Sequence, residues 1–144
     1  SAMEKLESAM ALYYRECSKA FAEEYDFFHD IELQELAHEK NIVFILDEIK
    51  DKPEQFSWKM PIDESIVERE AERIRNTAEK IANNKLTLKQ ALNLAMTEEK
   101  TVMENNYPEI VDTKNEDVNK LLNLMNEETT IHYSEIEEKL REIE

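Results

Sequence analysis

The chain contains no glycine, three prolines, one cysteine and one tryptophan among its 144 residues. A sheet protein needs tight turns, and those draw on glycine for backbone angles that other residues adopt only at a cost. Its complete absence points to an all-α fold. The single cysteine, Cys17, cannot form an internal disulfide, and without a CxxC pair no thiolate site for zinc or an iron–sulfur cluster is encoded. Bases are scarce as well. Eighteen Lys and Arg against 34 Asp and Glu give a formal charge of -16, which repels a phosphate backbone and argues against nucleic-acid binding. No apolar run approaches the roughly 20 residues of a membrane span, and no signal peptide is visible. The expected compartment is the cytoplasm, with no membrane partner. Ser1-Ala2 ahead of Met3 reads as a cloning remnant.

What the chain has instead is helical periodicity. In a first segment Met3, Glu7, Met10, Tyr14, Cys17 and Phe21 form one stripe. In a second, Phe28, Ile31, Glu35, His38, Ile42, Ile45 and Ile49 do so, before Pro53 ends it. A third opens on a capping box, Thr87 with Gln90, runs through Leu88, Leu92, Ala95, Glu99 and Val102, and closes at Pro108. A fourth opens near Thr113 or Asn115 and carries Val118, Leu122, Met125, Thr129, His132, Ile136, Leu140 and Ile143. The connection 51–86 holds a loop, KPEQFSWKMPID, then an amphipathic segment with Val67, Ala71, Ile74, Ala78 and Ile81. A connection this long can cross a bundle. The expected architecture is a single domain over 1–144, a four-helix bundle of two antiparallel hairpins with a long crossover containing an extra helix.

Acids and imidazoles sit inside these stripes. Glu7, Glu35, His38, Glu99 and His132 each fall at the centre of an apolar face. A buried carboxylate costs several kcal/mol unless it is paired or metal-bound. One such residue alone is most simply a Glu at a helix edge. Four helices that each point an acid or imidazole inward accumulate penalties that a shared cation removes. At about 100° per residue, Glu35 and His38 share a face one turn apart, so both reach one ion. Carboxylate and imidazole donors without thiolate suit iron or manganese better than structural zinc. A Glu-x-x-His pair occurs often by chance and gains weight only with matching acids on partner helices.

These residues resemble a known pattern. LESAMALYY, with Glu7 in the ligand place and Tyr13-Tyr14 following, resembles the opening helix of the rubrerythrin-type di-iron carboxylate proteins of the ferritin-like superfamily. DIELQELAHEKNI supplies Glu35 and His38, and ALNLAMTEEKTVMENNY places Glu99 before Lys100. That family carries one Glu on each of two helices and Glu-x-x-His on each of the other two. The spacing from Glu99 to His132 is 33 residues, against 31 from Glu7 to His38, as a duplicated hairpin predicts. The resemblance covers the chain apart from the crossover.

The departure is Thr129, where the family has its second bridging Glu. Glu7, Glu35 and Glu99 carry three negative charges against four positive on two divalent ions. Glu128, four residues before His132 and on the flank of the same face, is the candidate for the missing ligand, or else a solvated flank residue. The resemblance implies two iron ions, with manganese as the alternative, and reduction of hydrogen peroxide or O2, or oxidation of iron as a ferroxidase. It implies a separate electron-donor protein, since the rubredoxin domain that often accompanies this family is absent here, and a homodimer is the expected assembly. A rival reading is a helical scaffold or partner-binding bundle that has lost its metal. Tyr13 and Tyr14 read as core, with oxidation beside a metal as the sharper alternative. Cys17 reads as buried and inert, His29 as a surface histidine and Trp58 as a cap on the bundle end. The Lys and Glu runs from Glu68 to Lys80 read as a solvated face.

Overall fold

A computed structural model describes residues 1–59, 63–104 and 111–144. The expected stop at Pro108 and the end of the crossover loop, 60–62, lie outside the described residues. The elements are α1 (Ala2–Ala20), α2 (Tyr25–Asp51), β1 (Phe56–Trp58), α3 (Glu64–Ala82), α4 (Leu88–Glu104), β2 (Val111–Thr113) and α5 (Glu116–Ile143). The helical segments follow the periodic stripes, and their ends are chemically marked. The Thr87 hydroxyl accepts from the Gln90 amide at 3.2 Å while the Gln90 side chain accepts from the Thr87 amide at 2.9 Å, the reciprocal capping box. Asn115 caps α5 by accepting from the Val118 amide at 3.1 Å. Asp63 caps α3 through the amides of Ser65 and Ile66, and these bonds, the Ser65 hydroxyl's first, hold its carboxyl below its ordinary value.

The lack of glycine is met at the end of α3. There Asn84 takes φ 57°, the left-handed turn that short polar side chains tolerate best after glycine. The Lys85 amide donates to the Lys80 carbonyl and the Asn84 amide to that of Ile81, each at 3.0 Å, which closes the helix as a Schellman motif does.

The chain divides into two compact units, Ser1–Ile42 with Asp63–Ala91, and Val43–Ile62 with Leu92–Glu144. In the first, α1 packs along α3. Ala9, Met10, Tyr13, Tyr14 and Cys17 of α1 are buried, as are Ala71, Ile74, Ala78 and Ile81 of α3. The amphipathic segment of the crossover is thus a full packing partner, and each fully buried isoleucine contributes about 1.5–3 kcal/mol of apolar burial. Tyr14 stacks on Phe28 at 6.4 Å and meets Tyr13 edge-on at 5.5 Å, and the Tyr13 hydroxyl donates to the Ala91 carbonyl. On the outer face of α3, Arg73 bonds Glu70, and Glu68 reaches Lys5 of α1 at 3.3 Å. Exposed pairs of this kind add little.

In the second unit Val118, Leu122, Met125, Ile136 and Leu140 of α5 are buried, with Leu92 and Ala95 of α4. Here an unforeseen antiparallel ribbon forms: Phe56 pairs with Thr113, Ser57 with Asp112 and Trp58 with Val111. The two strands come from connections far apart in sequence, so the pairing needs no tight hairpin turn and no glycine. Trp58 does not bury against a bundle end. It stands on this ribbon 55% exposed, its backbone paired with Val111. Among the described residues no helix is long and apolar enough to cross a membrane.

Candidate metal centre

Glu7 lies on the α1 stripe three residues before Met10 and seven before Tyr14, so the packing that buries those side chains also buries its carboxylate. Glu35 and His38 stand one turn apart on α2 between Ile31 and Ile42, and both are buried. The His38 Nδ1 lies 3.4 Å from a Glu35 oxygen and 3.7 Å from a Glu7 oxygen. One ligand atom from each of the three residues falls within 4.8 Å of the others. These separations exceed an ordinary N–H···O bond. Two donors each about 2.1 Å from a shared ion stand about 3.0–3.4 Å apart at bond angles of about 90–109°. The Glu35–His38 separation reaches the wide end of that range and the Glu7–His38 separation lies outside it, so the trio is a candidate set of ligands.

Electrostatics of the trio agree with its donor chemistry. Burial pulls the His38 imidazole down, but the Glu35 and then the Glu7 carboxylates beside it outweigh this and push its pKa from 6.5 up to about 11. Two buried carboxylates thus hold one proton on the ring between them. A divalent ion supplies one more positive charge than that proton and must displace it to reach the nitrogen. Two carboxylates and an imidazole fit a first-row divalent metal such as iron or manganese.

In the second unit Glu99 of α4 and His132 of α5 are both buried, with His132 Nδ1 3.8 Å from Glu99 Oε1. Thr129, one turn before His132, is buried, and its hydroxyl donates to the Met125 carbonyl at 2.8 Å. Glu128 is half-buried on the flank of α5. A further acid is buried that the sequence pattern missed: Glu98, 4% exposed. Reading α4 along Leu92, Ala95, Glu99 and Val102 follows one line of a helix ladder. The buried face is wider and also holds Ala91, Ala95 and Glu98 at spacings of four and three, which is the signal that could have found it.

Burial pushes the Cys17 thiol up, leaving it a core residue. His29 is part-exposed, 3.2 Å from Glu32 and stacked on Tyr25 at 5.1 Å. No protein-family model matches this chain, and neither a curated protein nor a solved structure does.

Proposed function

We propose that this chain is a ferritin-like di-metal carboxylate protein, an oxidoreductase that reduces hydrogen peroxide or O2, with ferroxidase activity the closest alternative. In this reading α1–α2 and α4–α5 are the two hairpins and α3 lies in the crossover. Glu7, Glu35 and His38 hold one ion; Glu99 and His132 hold the second. The observation that carries the reading is the buried trio Glu7, Glu35 and His38, whose donors lie within 4.8 Å of one another in an otherwise apolar interior. Iron is the metal of this reading, with manganese the alternative, since imidazole suits iron and carboxylate suits manganese.

When bound, two ferrous ions supply the two electrons that, with two protons, convert hydrogen peroxide to two waters. The chain's own residues do the rest. Burial of the carboxylates keeps bulk water from the donors and strengthens their hold on a cation. His38 releases its proton on loading and becomes a neutral ligand. Electrons return from a separate donor protein. A cytoplasmic setting fits the one buried free thiol.

One observation favours a second reading. Thr129 stands where the family pattern has a bridging Glu, and its hydroxyl is turned onto its own helix backbone. A bundle relieved of its metal would serve as a scaffold or partner-binding protein. Elemental analysis of protein purified from iron-supplemented cells separates the two. About two ions per chain is expected. No binding even after anaerobic addition of Fe(II) would leave the scaffold.

A further inference from the structure

α2 carries two apolar lines, and only one of them is buried. Ile31, Ile42 and Ile45 lie on the buried line with Glu35 and His38. On the other side of the helix Leu33, Leu36 and Val43 are 51%, 38% and 38% exposed. With the exposed Lys40 between them they fall at spacings of three, four and three residues. The same alternation continues back to His29 and Asp26 and forward to Asp47 and Lys50, all of them exposed except His29, which is part-exposed. Ala37 and Phe44, both exposed, flank this line. Alternating spacings of three and four keep a seam on one side of a helix, which is how one helix packs along another. Every position is on one unbroken helix, Tyr25–Asp51, so the alignment of the seam depends on no other element. Large apolar side chains grouped on a surface in this way mark a place of association.

We propose that this outer seam is the interface of a homodimer, in which α2 of one copy lies antiparallel along α2 of a second about a two-fold axis between Leu36 and Lys40. The order of residues along the seam selects both the partner and the orientation. Run antiparallel, Leu33 meets the partner's Val43, and Leu36 meets the aliphatic stem of the partner's Lys40, whose ammonium stays at the wet edge. Further out, His29 meets the partner's Asp47 and Asp26 meets the partner's Lys50. Symmetry makes each pair twice. Apolar residues thus face apolar ones, and acids face bases. A parallel pair in register sets Lys40 on Lys40, Asp47 on Asp47 and Asp26 on Asp26, and like charges so placed repel. A chain with a formal charge of -16 repels its own copies, so a contact between them needs a face whose charges cancel. This seam balances Asp26 and Asp47 with Lys40 and Lys50. It lies on the side of α2 away from Glu35 and His38, so the dimer does not depend on the di-metal reading.

Sedimentation equilibrium and chemical cross-linking of the full chain test this. The parent is expected to be a dimer. Val43→Glu buries an unpaired acid against the partner's Leu33 and is expected to weaken self-association by about tenfold or more. Its far-ultraviolet circular dichroism should match the parent's, because Val43 is exposed in the single chain. Orientation is read separately, with a short bis-maleimide on cysteine variants. Leu33→Cys/Val43→Cys is expected to run as a covalent dimer on a denaturing gel, whereas Leu33→Cys and Val43→Cys alone are not, since in the antiparallel register each of these positions faces the other. Cys17 is buried and is not expected to react. This arm stands even where Val43→Glu does not fold. Efficient cross-linking of either single variant would mean a parallel pair and overturn the assignment. So would a parent dimer that Val43→Glu leaves unchanged, which places the contact elsewhere. A parent that is monomeric at about 0.1 mM binds itself more weakly than about -5.5 kcal/mol, which also overturns the dimer and leaves the seam to a different protein.

Discussion

A histidine ring held between two buried carboxylates keeps its proton far above neutral pH. Metal-free, folded His38 holds that proton up to about 11, whereas the unfolded chain releases it near 6.5. Its contribution to stability is therefore fully present below 6.5 and is lost progressively as pH rises toward and through 11. The urea midpoint of metal-free protein is expected to fall between about pH 7 and about pH 10, and His38→Gln is expected to flatten that slope. A midpoint that holds steady over this range in the parent would show that His38 is neutral in the fold. The same proton is displaced on loading, so Mn(II) titrations at neutral pH in buffers of different ionisation enthalpy are expected to report release of about one proton. Glu7, Glu35, His38, Glu99 and His132 were legible as buried residues because each falls on the apolar line of its helix. Glu98 was not, because the line through Glu99 describes the centre of a buried face and not its width.

Elements differ in how much of their stability the sequence declares. The capping box at Thr87 and the Asn115 cap were readable, since an oxygen-bearing side chain three residues ahead of an amide has one evident use at a helix start. The pairing of α3 with α1 was not, because an amphipathic stripe states that a face is buried without naming the partner. The β1–β2 ribbon was hidden for a related reason: two three-residue strands carry no period of their own, and they are joined by register across a long separation. The two kinds of contact differ in size. Ile74→Ala removes a fully buried side chain between α3 and α1 and is expected to cost about 2–5 kcal/mol. Thr87→Ala deletes one cap bond at an exposed helix start and is expected to cost about 0.5–2 kcal/mol. Urea unfolding of both variants checks the order. A smaller loss for Ile74→Ala than for Thr87→Ala would show that α3 is only loosely held on α1.

For the whole molecule the governing quantity is a formal charge of -16 on a chain that, among its described residues, buries four acids. Any salt will relieve part of this self-repulsion, because exposed charges more than about 10 Å apart are screened at about 0.1 M ionic strength. A cation seated among buried carboxylates acts differently, since bulk ions cannot enter to screen those charges. Binding to the folded chain alone stabilises it by about 2.7 kcal/mol when free metal is about a hundredfold above its dissociation constant. For a chain of this size that corresponds to a rise in melting temperature of about 8 °C. Mn(II) or anaerobic Fe(II) at a small excess over protein is expected to give this rise, while NaCl or Mg(II) at the same ionic strength gives little. The dependence should also be unequal between the two groups of ligands. His38→Ala removes a donor from the complete trio and should abolish the tighter binding step, and with it most of the thermal shift. His132→Ala should remove only the weaker step and leave most of the shift in place. Equal losses from the two variants would mean that the ions are held alike, and that the substitution of Thr129 for a carboxylate has no energetic consequence. A shift that NaCl reproduces at matched ionic strength would reduce the effect of metal to screening of a highly acidic surface.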